Sequence, residues 1–197
     1  MRLFPLPIVL LPEEGLPLHI FEDRFKQMIE ECLEEDLPFG VVLAEDRGIR
    51  QTGCTARVIQ VIEKLPDGRM NILTRGERRF RLLRIYSHRP YPIGDVEFLD
   101  DTPAPAPAEL ADRTQRAVEG DLGQPLAMLG AVRNDPGRRS FAFAAALNFP
   151  LADKQYFLEC ASVPERFKLL LEFLEEKKKR KSALEKAKEA SSRNGRS

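Results

Sequence analysis

The densest apolar run in the chain lies at its start, Leu3-Phe4-Pro5-Leu6-Pro7-Ile8-Val9-Leu10-Leu11-Pro12. Proline is excluded from helix interiors and tolerated on strands at an edge, so the run reads as a buried strand, with Leu16 to Ile20 a second short extended piece. From Phe21 the pattern changes period. Phe21, Phe25, Met28, Ile29, Cys32 and Leu33 share one helical face, predicting a helix from about Glu22 to Glu35 that Leu37-Pro38 stops. Glu34, Glu35 and Asp36 sit at the wrong end for the helix dipole, so packing must hold the last turn. Phe39 to Ala44 reads as a buried strand, Glu45 to Gln51 as a polar loop, and Gly53 to Leu65 as the longest strand. Pro66-Asp67-Gly68-Arg69 carries a hairpin turn signal, after which Met70 to Thr74 returns. A second turn is expected at Arg75-Gly76-Glu77, before strands over Arg78 to Tyr86 and Tyr91 to Leu99.

Beyond Leu99 the composition shifts. Asp101 to Pro107 places proline at alternate positions, a semi-rigid extended linker between a β-rich half (1–100) and a helical half (108–180). Helices are predicted over Ala108 to Glu119, over Leu122 to Arg133 with Asp121 as cap, over Arg138 to Leu147 after an Asn134 to Gly137 turn, and over Leu151 to Cys160. Ser162-Val163-Pro164-Glu165 is a capping-box signature opening the last helix, whose stripe is Val163, Phe167, Leu170, Leu171 and Leu174. Residues 181–197 form a basic tail, expected to extend this helix and fade into disorder.

Three segments together resemble the Lon N-terminal (substrate-binding) domain family. They are the opening Pro5 to Pro12 and Leu16 to Phe25, the hairpin Gly53 to Arg69, and Ile72-Leu73-Thr74-Arg75-Gly76-Glu77-Arg78-Arg79-Phe80. In the helical half, Leu147 to Gln155 and Leu158-Glu159…Val163-Pro164-Glu165-Arg166-Phe167 continue the likeness, which spans roughly residues 2 to 178. The resemblance implies an α+β fold: a β-rich, PUA-like pseudobarrel with one inserted helix, followed by a C-terminal helical bundle. It also implies recognition of unfolded or exposed polypeptide segments, either delivering clients to a separate protease or acting as a scaffold. The expected site is the groove between the halves or an apolar patch beside the first strand, where peptide recognition uses grooves and sheet edges.

Charge adds one alternative. Net charge is zero, with 31 Lys and Arg against 31 Asp and Glu. The distribution is uneven: residues 1–46 are strongly acidic, 47–100 basic, 101–176 acidic and 177–197 basic. Arg75, Arg78, Arg79, Arg81 and Arg84 are candidates for contacting nucleic acid or another polyanion, together with the lysine-rich tail. The preferred reading has alternate arginines solvated or paired with the acidic first segment, while Phe80 and Leu82 point inward. No phosphate-binding loop, metal cluster or nucleophile–base pair is evident, so no catalytic, metal or cofactor site is expected. His19 and His88 read as structural and solvent-facing. Cys32, Cys54 and Cys160 read as free thiols. The longest apolar run is about half of the ~20 residues a membrane-spanning helix needs, and a cytoplasmic protein with no membrane contact is expected.

Overall fold

A computed structural model describes residues 1–103, 107–126, 132 and 134–194. Six strands form one mixed sheet: β1 (Leu3–Leu6), β2 (Gly15–Ile20), β3 (Phe39–Glu45), β4 (Gly48–Lys64), β5 (Met70–Tyr86) and β6 (Ile93–Phe98). Helix α1 (Asp23–Glu34) lies between β2 and β3. Helices α2 (Ala108–Leu122), α3 (Pro136–Ala146), α4 (Leu151–Glu159) and α5 (Val163–Asn194) follow the sheet.

The strand order is β1-β3-β4-β5-β2, with β1 parallel to β3 and the other pairs antiparallel. β6 pairs with the second half of β5, and an Arg2–Ile93 bridge returns it to β1. Leu3 N–H donates to Pro92 O at 2.8 Å and Gly94 N–H to Met1 O at 2.9 Å. Leu3, Val42, Phe80 and Leu82 fill the space enclosed by this circuit. A larger core runs without a break from Phe4, Phe25 and Phe39 to Phe141, Phe157 and Phe167 of the helices.

Several expectations change. The turn at Arg75-Gly76-Glu77 does not exist, because β5 runs straight through it. Gly76 is there for close approach: a Cβ at this position would lie 2.1 Å from Leu11 O, so the chain start can cross the strand only over a glycine. The Glu45–Gln51 loop shrinks to a two-residue turn, since Glu45 already pairs with Gly48. Phe21 and Leu33 are exposed, leaving Phe25, Met28, Ile29 and Cys32 to anchor α1. Asp121 belongs to the last turn of α2, which ends at Gly123 in the left-handed conformation, and residues 124–126 are not helical. The rest of the helix expected to follow lies partly outside the described residues. Asn134 to Gly137 is no free turn either: Asp135 caps α3, its carboxylate accepting from Arg138 N–H at 3.0 Å, with Pro136 at the first helical position. Ser162 caps α5 through Glu165 N–H at 3.3 Å. The helix then continues through Lys181 to Asn194, and the end of the tail, where disorder was expected, lies outside the described residues.

Candidate functional site

Two concavities correspond to the places the sequence points to. The groove between sheet and helices encloses about 320 Å³ and is lined by charged residues, among them Arg78, Asp100, Asp135 and Arg138, with Pro12 and Phe141. Its base is a network of ion pairs. Arg79, 3% exposed, donates to Asp101 at 2.6 Å, to Leu158 O at 3.1 Å and to Cys160 O at 3.2 Å. Arg166, fully buried, grips both oxygens of Asp101 at 2.7 and 2.5 Å, donates to Ser140 Oγ at 2.8 Å, and lies 4.2 Å over the Phe141 ring. Burial lowers the pKa of the Arg79 guanidinium, with Asp101 opposing the shift. Two guanidiniums on one carboxylate therefore bind β5 to the linker and to α5.

A second clasp stands beside it. Glu13, in a left-handed conformation with φ 68°, accepts from Arg75 of β5 and from Arg138 of α3, the latter at 2.6 Å. Burial pushes the Glu13 carboxyl up, and the hydrogen bonds from Arg138 and Arg75 outweigh it, leaving its pKa below the ordinary value. Glu14 pairs with Lys154 of α4 at 2.6 Å. This groove is thus a fastening between parts, its charges already matched.

The other concavity lies beside the first strand and is apolar. About 570 Å³ is walled by Met1, Leu37, Pro38, Ile93, Val96 and Phe98. Leu37 is 48% exposed and Phe98 41%. One wall is polar and self-satisfied: Glu31 accepts from Tyr91 Oη, from Arg2 at 3.2 Å and from Arg89 at 3.3 Å, while Arg2 also donates to Glu35 at 2.7 Å. The Tyr91 hydrogen bond, with Arg2 and Gln27, holds the Glu31 carboxyl below its usual range, and the bond to Glu35 raises the Arg2 pKa. Neither group exchanges a proton near neutral pH. The arrangement can accept apolar side chains on its floor and offers no acid–base pair.

The five candidate arginines are not brought together. Arg79 is buried in the ion-pair network and Arg75 is committed to Glu13. Arg78 lies 4.1 Å over the Phe98 ring and 3.7 Å from Asp100, and Arg81 is 4.0 Å from Glu97 of β6. Arg84 is exposed and has no ion-pair partner among the described residues. Cross-pairing of acidic and basic segments is real, as Arg57 with Asp36 and Lys64 with Glu30 also show. His19 Nδ1 is 2.7 Å from Asn71 Oδ1 on the neighbouring strand. Burial raises the Cys32 thiol to about 11 and pushes Cys54 higher still, so both stay protonated near neutral pH. Among the described residues no group of three or more His, Cys, Asp or Glu could hold a metal ion, and no helix is long and apolar enough to cross a membrane.

Sequence reasoning missed the groove walls and Arg166. A signal existed for both. Val96 and Phe98 alternate on one strand face beside Asp95 and Glu97, and Arg166 falls on the buried stripe between Val163 and Leu170.

This mixed sheet with its following helices shares its fold with solved Lon N-terminal domains. A Lon N-terminal domain protein from Xanthomonas campestris superposes with a TM-score of 0.68 at 24% identity, covering 87% of this chain and 96% of that one. The N-terminal domain of the Mycobacterium avium complex Lon protease gives 0.63 at 19% identity, over 88% and 97%. The chain belongs to the family described as the ATP-dependent protease La (LON) substrate-binding domain, whose model matches residues 1–176. Among curated relatives, the Lon protease of Roseiflexus castenholzii is 27% identical over 184 residues, and that of Parabacteroides distasonis 28% over 180. These alignments cover 85% and 83% of this chain but 23% and 20% of the relatives, so the chain spans about a fifth of their length.

Proposed function

We propose that this chain is a non-catalytic module that recognises unfolded or exposed polypeptide segments, using the apolar groove beside β1 as its principal contact. The observation that carries this reading is the exposure of Leu37 and Phe98 on an apolar floor of about 570 Å³ whose polar wall is already saturated. Such a floor rewards burial of an aliphatic or aromatic client side chain, at roughly 25 cal/mol per Å² removed from water. Membership of a substrate-binding domain family supports the same assignment. A second apolar contact is offered by Ile59, Val61 and Ile62, exposed on β4 beyond Ala56, where pairing with β3 ends. The sheet's return to β1 and the helices that follow are consistent with the PUA-like pseudobarrel and helical bundle. In this reading the module acts in the cytoplasm as an adaptor or scaffold for a separate protease. The polyanion alternative is weaker, because Arg75 is paired with Glu13 and Arg79 is buried against Asp101.

The test is fluorescence anisotropy with a labelled, permanently unfolded polypeptide. Binding with a Kd of about 10 μM that weakens at least tenfold in Phe98→Asp, a loss of about 1.4 kcal/mol, supports the assignment. Absence of binding to the unaltered chain, or affinity indifferent to Phe98→Asp, overturns it.

A further inference from the structure

Helices α4 and α5, with the residue before the turn into α4, enclose a small concavity of about 160 Å³. Its walls are aromatic. Phe149 stacks on Phe173 with ring centroids 4.1 Å apart and planes 23° from parallel, and the buried Phe157 lies 5.8 Å from Phe149. Leu169 completes the apolar lining, and Tyr156, 59% exposed, stands at the mouth.

Charge at the rim sets this concavity apart from the apolar groove beside β1. Asp153 of α4 and Glu172 of α5 line it, both exposed, and neither has an ion-pair partner among the described residues. The lysine next to Asp153 and the one a turn before Glu172 are taken elsewhere: Lys154 by Glu14 at 2.6 Å, and Lys168 by Glu165 at 3.4 Å. Glu176, the third carboxylate, meets Arg180 of its own helix at 3.3 Å, in an exposed pair of little worth. Aromatic faces attract cations, and carboxylates at the edge of an apolar wall add to the same field. Elsewhere in the molecule phenylalanine faces already hold guanidiniums: Arg166 lies 4.2 Å over Phe141, Arg78 4.1 Å over Phe98 and Arg24 4.5 Å over Phe25. Among the described residues no cation of the chain lies over Phe149, Tyr156 or Phe173.

A guanidinium suits such a wall better than an ammonium. It stacks flat on a ring while its N–H groups donate in pairs to a carboxylate, and its methylene stem buries along Leu169. The trough also runs on. A second hollow of about 340 Å³ shares Asp153, Phe173 and Glu176 with the first and continues past Pro150 and Arg180. There the cations are already matched, Lys177 by Asp121 at 2.6 Å and Arg180 by Glu176. The uncompensated charge is therefore confined to the aromatic end, and the combined length fits a stretch of chain rather than a free small cation.

We propose that the trough between α4 and α5 binds a basic polypeptide segment of a partner protein through one arginine, its guanidinium held against the aromatic wall by Asp153 and Glu172. The site lies on different elements from the groove beside β1 and does not depend on the function assigned to that groove.

Isothermal titration calorimetry of the full chain with the end-blocked peptide Ser-Gly-Arg-Leu-Gly-Ser tests it. Binding with a Kd of about 100 μM is expected, and Phe98→Asp should leave it unchanged. Citrulline in place of the arginine keeps the shape and removes the charge, and should weaken binding at least about tenfold, while lysine should weaken it at least about threefold. Asp153→Asn combined with Glu172→Gln should match the citrulline effect of about tenfold with circular dichroism unchanged, because both positions are exposed. Tyr156→Phe should bind as the native chain does and Tyr156→Ala severalfold more weakly, since the ring and not the hydroxyl meets the cation. No binding up to about 1 mM peptide, equal affinity for the citrulline or lysine peptide, indifference to the double variant or to Tyr156→Ala, or loss of binding in Phe98→Asp would each overturn the proposal.

Discussion

Glu13 holds an unusual position for a carboxylate: its side chain is 7% exposed, its backbone is left-handed, and it touches cations from both β5 and α3. Its folded pKa lies below the ordinary 4.5, so its contribution to stability is fully present above that value and is lost as pH falls through the depressed folded one. Urea midpoints measured from neutral pH to about pH 3 should therefore fall more steeply for the native chain than for Glu13→Gln, which should be the less stable of the two at neutral pH. Asp101 is the more demanding case, since among the described residues it is the one carboxylate paired with two buried arginines. Asp101→Asn should cost about 3–5 kcal/mol in denaturant unfolding, because removing one partner strands charge inside the protein. A cost below about 1 kcal/mol would mean that the carbonyls of Leu158 and Cys160 suffice for these guanidiniums.

At the scale of elements, local signals agree with the structure wherever the element answers to its own residues. The Asp67-Gly68 hairpin closes as its sequence predicts, with Leu65 N–H donating to Arg69 O at 2.8 Å. The acidic end of α1, unfavourable for the helix dipole, is offset by cations from elsewhere: Arg2 meets Glu31 and Glu35, and Arg57 meets Asp36. Helix α3 shows a signal read the wrong way. Asn134-Asp135-Pro136-Gly137 has turn composition, yet Asp followed by Pro is equally an N-cap followed by the first helical residue. Asp135→Ala should lower stability by about 1 kcal/mol, measured as a shift of the thermal or urea midpoint, and Asp135→Ser should recover most of it.

Across the whole molecule, the strand regions, the early helix, the change from sheet to helices near residue 100 and the capping of α5 were legible from periodicity and turn chemistry alone, because those depend on neighbours within a few residues, whereas the merging of two expected strands into β5 was not. The candidate site was legible only in outline. Its placement beside the first strand could be anticipated, but its walls come from residues as far apart as Met1, Leu37 and Phe98, which only the return of β6 to β1 brings together. The same holds for the arginines. A sequence shows five of them close along one stretch, and nothing local says that Arg79 turns inward to meet Asp101 and the carbonyls behind α4, or that Arg75 answers to Glu13. Gly76 makes the distinction plain: its composition suggested a turn, and its reason lies 65 residues away in the carbonyl of Leu11. What the sequence determined by itself was most of the elements and the family likeness, both written in short-range pattern. What tertiary structure decided was which charges are spent on holding the fold and which apolar surface is left over, because burial and pairing are properties of residues that meet only after the chain has closed.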